Sequence, residues 1–159
     1  MKLWPAIFLW LALPAAGEEG LTLLDAGGSE VVVRPEAGET LVLHFWATWC
    51  PSCVDDLAHL AEAAADCGNH FRVLAVNAGD DADEIAAFVL EHAVRLPVLR
   101  DPGGRAWRDV GGWALPMNVY WSAAGQTRDE GAKSREQWAE RFAALGCAAG
   151  GGALQTSSR

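Results

Sequence analysis

The chain has 159 residues, 51% of them apolar and 21% charged, and its 21 acidic residues outweigh 12 basic ones for a formal net charge of -9. That size and apolar content describe one compact domain able to bury a core, and no apolar run reaches the roughly 18 to 20 residues that a helix needs to cross a bilayer. The acidic balance, with no Lys/Arg stripe to offset it, repels a phosphate backbone and argues against nucleic acid as a partner.

Met1 and Lys2, the apolar run from Leu3 to Leu13 and the small residues Ala15-Ala16-Gly17 have the order of a secretory signal peptide. Residues 1–17 are therefore assigned to a leader cut between Ala15 and Gly17, with an uncleaved N-terminal tether or an ordinary buried helix as the alternatives. No cysteine lies near the junction to carry a lipid anchor. A leader or tether puts residues 18–147 in the periplasm or another extracytoplasmic space, where disulfides persist.

Leu21 to Asp25 and Glu30 to Arg34 are short β-rich runs around Gly27-Gly28, predicting an N-terminal hairpin. Thr40 to Ala47 (TLVLHFWA) is a nearly continuous run of β-formers, the pattern of a central strand covered on both faces. Pro51 in a first turn, then Val54, Leu57, Ala61 and Ala64 at helical spacing, predict a helix over 50–67 that begins at Cys50. Phe71 to Asn77 reads as a second strand, followed by a helix with Ile85, Phe88, Val89 and His92 on one face. Leu96 to Leu99 is a short strand, and Gly103 to Val110 a short helix with Trp107 and Val110 inward. Met117 to Trp121 and Gln126 to Asp129 form a hairpin around Ala124-Gly125. Ser134 and Gln137 make a capping box for a helix carrying Trp138, Phe142 and Leu145, ending near Gly146. Residues 148–159 are small and polar and read as a flexible tail. The βαβα alternation implies a partly parallel sheet.

Trp49-Cys50-Pro51-Ser52-Cys53 follows the buried strand and opens a helix. Two thiols three residues apart at a helix start can close a disulfide across one turn, and the helix N-terminus favours a thiolate at the leading position. Cys50 is then the attacking nucleophile and Cys53 the group that resolves the mixed disulfide. A plain structural disulfide, or half of a metal site, is the competing reading of the same pair.

Phe45-Trp46-Ala47-Thr48-Trp49-Cys50-Pro51-Ser52-Cys53 resembles the active-site signature of the thioredoxin superfamily, and within it the extracytoplasmic TlpA/ResA/DsbE-like branch. The resemblance spans residues 30 to 145, taking in Leu96 to Gly104 and Leu115-Pro116. It implies a thioredoxin-like three-layer α/β/α sandwich with a central mixed sheet, here with the N-terminal hairpin as an extension. It also implies that Pro116 is cis and faces the dithiol, and that Leu115 pairs its backbone with a substrate peptide. Trp49 joins this docking group as the neighbour of the nucleophile, with core filling as its alternative. His44 lies six residues before Cys50, where thioredoxins carry a buried acid that moves the proton of the resolving cysteine. An imidazole can do that work near neutral pH, and a buried histidine satisfied by a backbone carbonyl is the other reading. The family often shows Pro-x-Thr where this chain has Pro116-Met117-Asn118.

In the resembled topology the dithiol helix and the last helix run in the same direction on one sheet face, so Cys67 and Cys147 lie at neighbouring ends. A structural disulfide between them is expected, with two free thiols or a longer relay as alternatives. No second CxxC or HxxxH pair supports zinc, so no metal and no cofactor are expected. His59, His70 and His92 read as surface or helix-end residues, and Asp55-Asp56 and Asp80-Asp81-Asp83-Glu84 as solvated caps at helix starts. The resemblance favours reduction of disulfides in protein substrates by a monomer supplied with electrons by a membrane thiol donor. An oxidase or isomerase, or a copper metallochaperone using the same cysteines, are the alternatives.

Overall fold

The computed structural model describes residues 20–68 and 71–147. The leader at 1–17, the tail at 148–159 and His70 lie outside the described residues. Seven strands, β1 (Leu21–Leu24), β2 (Glu30–Val33), β3 (Thr40–Trp46), β4 (Phe71–Asn77), β5 (Val98–Arg100), β6 (Met117–Ser122) and β7 (Gly125–Glu130), form one mixed sheet in the order β2-β1-β5-β4-β3-β6-β7. Among the described residues four helices cover it: α1 (Pro51–Ala65), α2 (Ala82–Glu91), α3 (Arg105–Asp109) and α4 (Arg135–Ala144).

The layers follow from chain direction and strand alternation. β3, β4 and β5 are parallel neighbours, and right-handed crossovers taken in the same sense put α1 and α2 on one face. Ile85 and Phe88 of α2 accordingly pack with Leu57 of α1 against Trp46 and Ala75. α4 returns to that face, where Trp138 and Phe142 join Leu60 on Val42 and Tyr120. The opposite face takes the alternate residues of β3, Leu41, Leu43 and Phe45, which pack with Leu23 and Val33 of the hairpin and Ala106 of α3.

The N-terminal hairpin is part of the sheet, since β1 pairs antiparallel with β5 at Leu24 and Arg100. The strand expected at Leu96 to Leu99 is displaced to Val98–Arg100. Pro97 has no N–H for a ladder, and gives only its carbonyl to the Ala75 N–H at 2.9 Å. The short helix expected over 103–110 is a 3-10 turn at Pro102–Gly104 followed by α3. Gly103 and Gly104 both take positive φ there, 70° and 64°, and buried Asp101 accepts the Ala106 and Trp107 N–H groups at 3.0 and 2.8 Å. His92 is the residue that ends α2 and is exposed, as a surface or helix-end reading expects, with its ring against Phe88.

Candidate active site

β3 delivers the chain to one edge of the core at Trp46, and α1 begins five residues later with Cys50 as its N-cap residue and Pro51 in its first turn. The intervening turn is fastened by Asp80, whose Oδ2 accepts the Thr48 N–H at 2.6 Å and the Asn77 Nδ2 at 2.8 Å. Cys50 and Cys53 are joined by a disulfide with their Cα atoms 5.4 Å apart. Cys50 retains 4% of its surface and Cys53 none, so an incoming sulfur meets Cys50 first. The N-terminus of α1 is electropositive, which favours a thiolate on Cys50 once the bond is opened. Trp49 is 69% exposed beside Cys50 and does not fill the core.

The Leu115–Pro116 bond is cis. β6 runs antiparallel to β3 with Phe45 opposite Met117, which brings Pro116 to the same end of the sheet as the dithiol turn. Leu115 packs on the cluster that contains Cys50 and Cys53. The Pro116 carbonyl accepts the Gly131 N–H at 2.9 Å.

Beneath α1 lies a buried polar chain. His44, on the β3 face that α1 covers, has its Nδ1 2.7 Å from Asn118 Oδ1 and 3.9 Å from Asp56 Oδ2. Burial pulls the imidazole pKa below its ordinary value, and the Asp56 charge and the Asn118 bond offset only part of that pull. Asn118 donates its Nδ2 to Asp129 at 3.0 Å. Asp129 also accepts from Lys133 Nζ at 2.7 Å, from the Tyr120 hydroxyl and from the Arg141 guanidinium. Partial burial pushes the Asp129 carboxyl up, but these hydrogen bonds outweigh it and hold the pKa below the usual range.

The amino-acid sequence from residue 18 to 129 matches the family model described as AhpC/TSA family. The chain belongs to the AhpC/TSA family. Among its relatives is the thiol-disulfide oxidoreductase ResA of Halalkalibacterium halodurans, 25% identical over 118 residues that cover 72% of this chain and 67% of ResA. The thiol:disulfide interchange protein DsbE of Allochromatium vinosum is 31% identical over 108 residues, 66% of this chain and 59% of DsbE. Among solved structures, the Mycobacterium tuberculosis protein dsbF superposes with a TM-score of 0.71 at 23% identity, over 79% of this chain and 95% of dsbF. At that identity the likeness shows the fold, which is thioredoxin-like.

In this AhpC/TSA family member Cys67 and Cys147 are also joined by a disulfide, with a sequence separation of 80. It ties the far ends of α1 and α4, whose near ends meet where Asp56 accepts the Lys133 N–H at 3.0 Å and the Trp138 Nε1–H at 2.5 Å. The expectation that Asp55 and Asp56 are solvated caps therefore fails at Asp56. Both fall beyond the first turn of α1, and the helical rotation turns Asp55 outward and Asp56 into the interior. Asp80 departs from the same expectation, since it anchors Thr48. His59 is half-buried, with Nδ1 3.2 Å from the Lys133 carbonyl.

Trp113 escaped the sequence reading. It is 75% exposed, three residues before Pro116, on a loop whose backbone is pinned. Gly111 takes φ 82°, and a Cβ on Gly112 would fall 2.1 Å from the Trp107 Nε1. The available signal was the Gly-Gly-Trp run directly ahead of the proline.

Proposed function

We propose that the protein is an exported thiol-disulfide oxidoreductase that reduces disulfides in extracytoplasmic protein substrates. The observation that carries this reading is a Cys50–Cys53 pair at the start of α1, at the same end of the sheet as a cis proline, in which only Cys50 is reachable. Names of relatives such as ResA and DsbE support the chemistry, and a related solved structure is described as a secreted disulfide oxidoreductase.

The reduced protein attacks a substrate disulfide with the Cys50 thiolate. One substrate sulfur leaves with its electron pair and the other is held in a mixed disulfide. Cys53 loses its proton and attacks the Cys50 sulfur, which closes Cys50–Cys53 and releases the second substrate thiolate. The substrate gains two electrons and the dithiol loses two. His44 is the group we assign to receive the Cys53 proton. It occupies the β3 position between Val42, packed with Leu60, and Trp46, packed with Cys53. Trp49, Leu115 and Pro116 dock the substrate chain, Leu115 through its backbone. Cys67 and Cys147 are structural. A membrane thiol donor then returns the dithiol to its reduced state. Residues 1–17 direct export of a monomeric domain of residues 18–147.

The test is the redox equilibrium of the protein against glutathione and dithiothreitol, with alkylation and mass mapping of each cysteine pair. A Cys50–Cys53 potential near about -270 mV supports a reductant, one near about -120 mV makes the protein an oxidant, and a pair that never titrates reversibly removes the redox function.

A further inference from the structure

The buried chain that ends at His44 begins at a carboxylate outside the dithiol cluster, and each link restricts the next. Asp129, held ionised by Lys133 and Arg141, can only accept hydrogen bonds. The Asn118 side chain must therefore turn its NH2 group toward Asp129, which leaves its carbonyl oxygen aimed at His44. That oxygen also can only accept, so Nδ1 must carry the ring proton. Asp56 Oδ2, a second acceptor 3.9 Å from the same nitrogen, acts in the same sense. Nε2 is buried with no hydrogen-bond partner among the described residues. Three polar positions on β3, β6 and β7 are aligned by register, since His44 stands opposite Asn118 and Asn118 opposite Asp129.

We propose that Asp129, acting through the Asn118 amide, fixes His44 as the Nδ1–H tautomer and keeps Nε2 as a bare lone pair beneath the dithiol helix. Asp129 and Asn118 are thus positioning residues for the proton step, and this use of the lock rests on the oxidoreductase reading above. In that step the Cys53 proton passes to Nε2 and the ring becomes an imidazolium. The Cys53 thiolate then displaces the substrate sulfur from Cys50, and the imidazolium returns its proton to the released thiolate or to water. The opposite tautomer would carry its N–H on Nε2 and leave that nitrogen unable to accept a proton. The charged and titratable groups facing this chain are Asp56 from α1, Lys133 from the segment before α4, Arg141 from α4 and Tyr120 from β6.

The experiment is ring nitrogen and carbon NMR of His44 in the full chain at pH 7, for the unsubstituted protein, Asn118→Thr and Asp129→Asn, in both redox states. A threonine hydroxyl or a second amide can donate or accept, so each variant keeps a hydrogen-bonding group while removing the direction of the chain. The unsubstituted protein is expected to show Nδ1–H alone, and each variant that keeps its native fold by circular dichroism a mixture with Nε2–H. Resolution of a Cys50 mixed disulfide then slows by the factor by which the competent tautomer is depleted, about twofold when the two forms are equal. His44→Gln, which removes the base, slows it by about 100-fold or more. An Nε2–H ring or an imidazolium in the unsubstituted protein overturns the proposal, as does a tautomer unchanged in every folded variant. The ring signals do not depend on turnover. A locked tautomer in a protein that exchanges no disulfides refutes the oxidoreductase reading alone, and active exchange with an unlocked ring refutes the lock alone.

Discussion

Replacing Asp56 by alanine tests whether the buried carboxylate joins α1 to α4. Asp56 accepts from the Trp138 indole at 2.5 Å and from the Lys133 backbone at 3.0 Å, and removing the carboxylate strips the buried indole and the half-buried Lys133 N–H of this acceptor. Each orphaned donor costs about 1 to 3 kcal/mol, so Asp56→Ala is expected to destabilise by about 2 to 6 kcal/mol. Asp55→Ala is the control. The two carboxylates are adjacent in α1, and a role through the helix dipole would make both effects small, because that influence fades within the first turn. Asp55 is exposed, and its loss should change stability by no more than about 0.5 kcal/mol. Asp56→Asn keeps one carbonyl acceptor for the two donors and should fall between these limits. The assay is guanidinium unfolding of the oxidised protein, followed by tryptophan fluorescence and circular dichroism with unchanged slope. A difference under about 1 kcal/mol between the two alanine variants would refute this account of the junction.

The double variant Cys67→Ser, Cys147→Ser opens a loop of sequence separation 80 and should cost about 4.5 kcal/mol in urea unfolding, without changing the alkylation pattern of Cys50 and Cys53. A loss below about 1 kcal/mol would mean that the unfolded chain is not constrained by this bond. His44 has a folded pKa lowered by burial, so the unfolded ring binds a proton that the folded one refuses. Its contribution is complete above the unfolded pKa of about 6.5 and declines as pH falls below it. Urea midpoints from pH 8 to 5 should show that decline, and His44→Gln should flatten it; equal slopes would assign the effect to another group. Trp113→Ala should alter stability by no more than about 0.5 kcal/mol, being on an exposed side chain. It should lower kcat/KM for a protein disulfide by roughly 2- to 10-fold, the worth of one aromatic contact, and leave reaction with glutathione unchanged. Equal losses with both substrates would show that the exposed Trp113, three residues before Pro116, makes no contact with a protein substrate.

The sheet and its layers were legible because their signals are local and periodic. The TLVLHFW run has the composition of a strand buried on both faces, and it is one. Ser134 and Gln137 cap α4 as their spacing predicts, with the Gln137 N–H donated to Ser134 at 3.3 Å. The later start of β5, at Val98 instead of Leu96, reflects pairing with β4, which depends on where Pro97 interrupts the donors and not on hydrophobicity. The side of α1 on which Asp56 falls was equally hidden. Adjacent carboxylates look alike in a helical pattern, and only the arrival of Trp138 and Lys133, 82 and 77 residues away, gives one of them an interior role.

His44 and Asn118 illustrate the same limit at the site itself. Each reads separately as a departure from the resembled family, one a histidine where an acid is usual, the other an asparagine where threonine is frequent. The antiparallel register of β3 and β6 puts them directly opposite one another, 2.7 Å apart between Nδ1 and Oδ1, so the two departures meet in one hydrogen bond. A buried imidazole cannot leave its N–H unpaired without a penalty of about 1 to 3 kcal/mol. An amide oxygen satisfies it only if the amide is itself turned by an acceptor beyond, which is what Asp129 supplies. The Asn118 oxygen meets the His44 Nδ1 and its amide group donates to Asp129, which joins one position on each of β3, β6 and β7 into a single hydrogen-bonded chain.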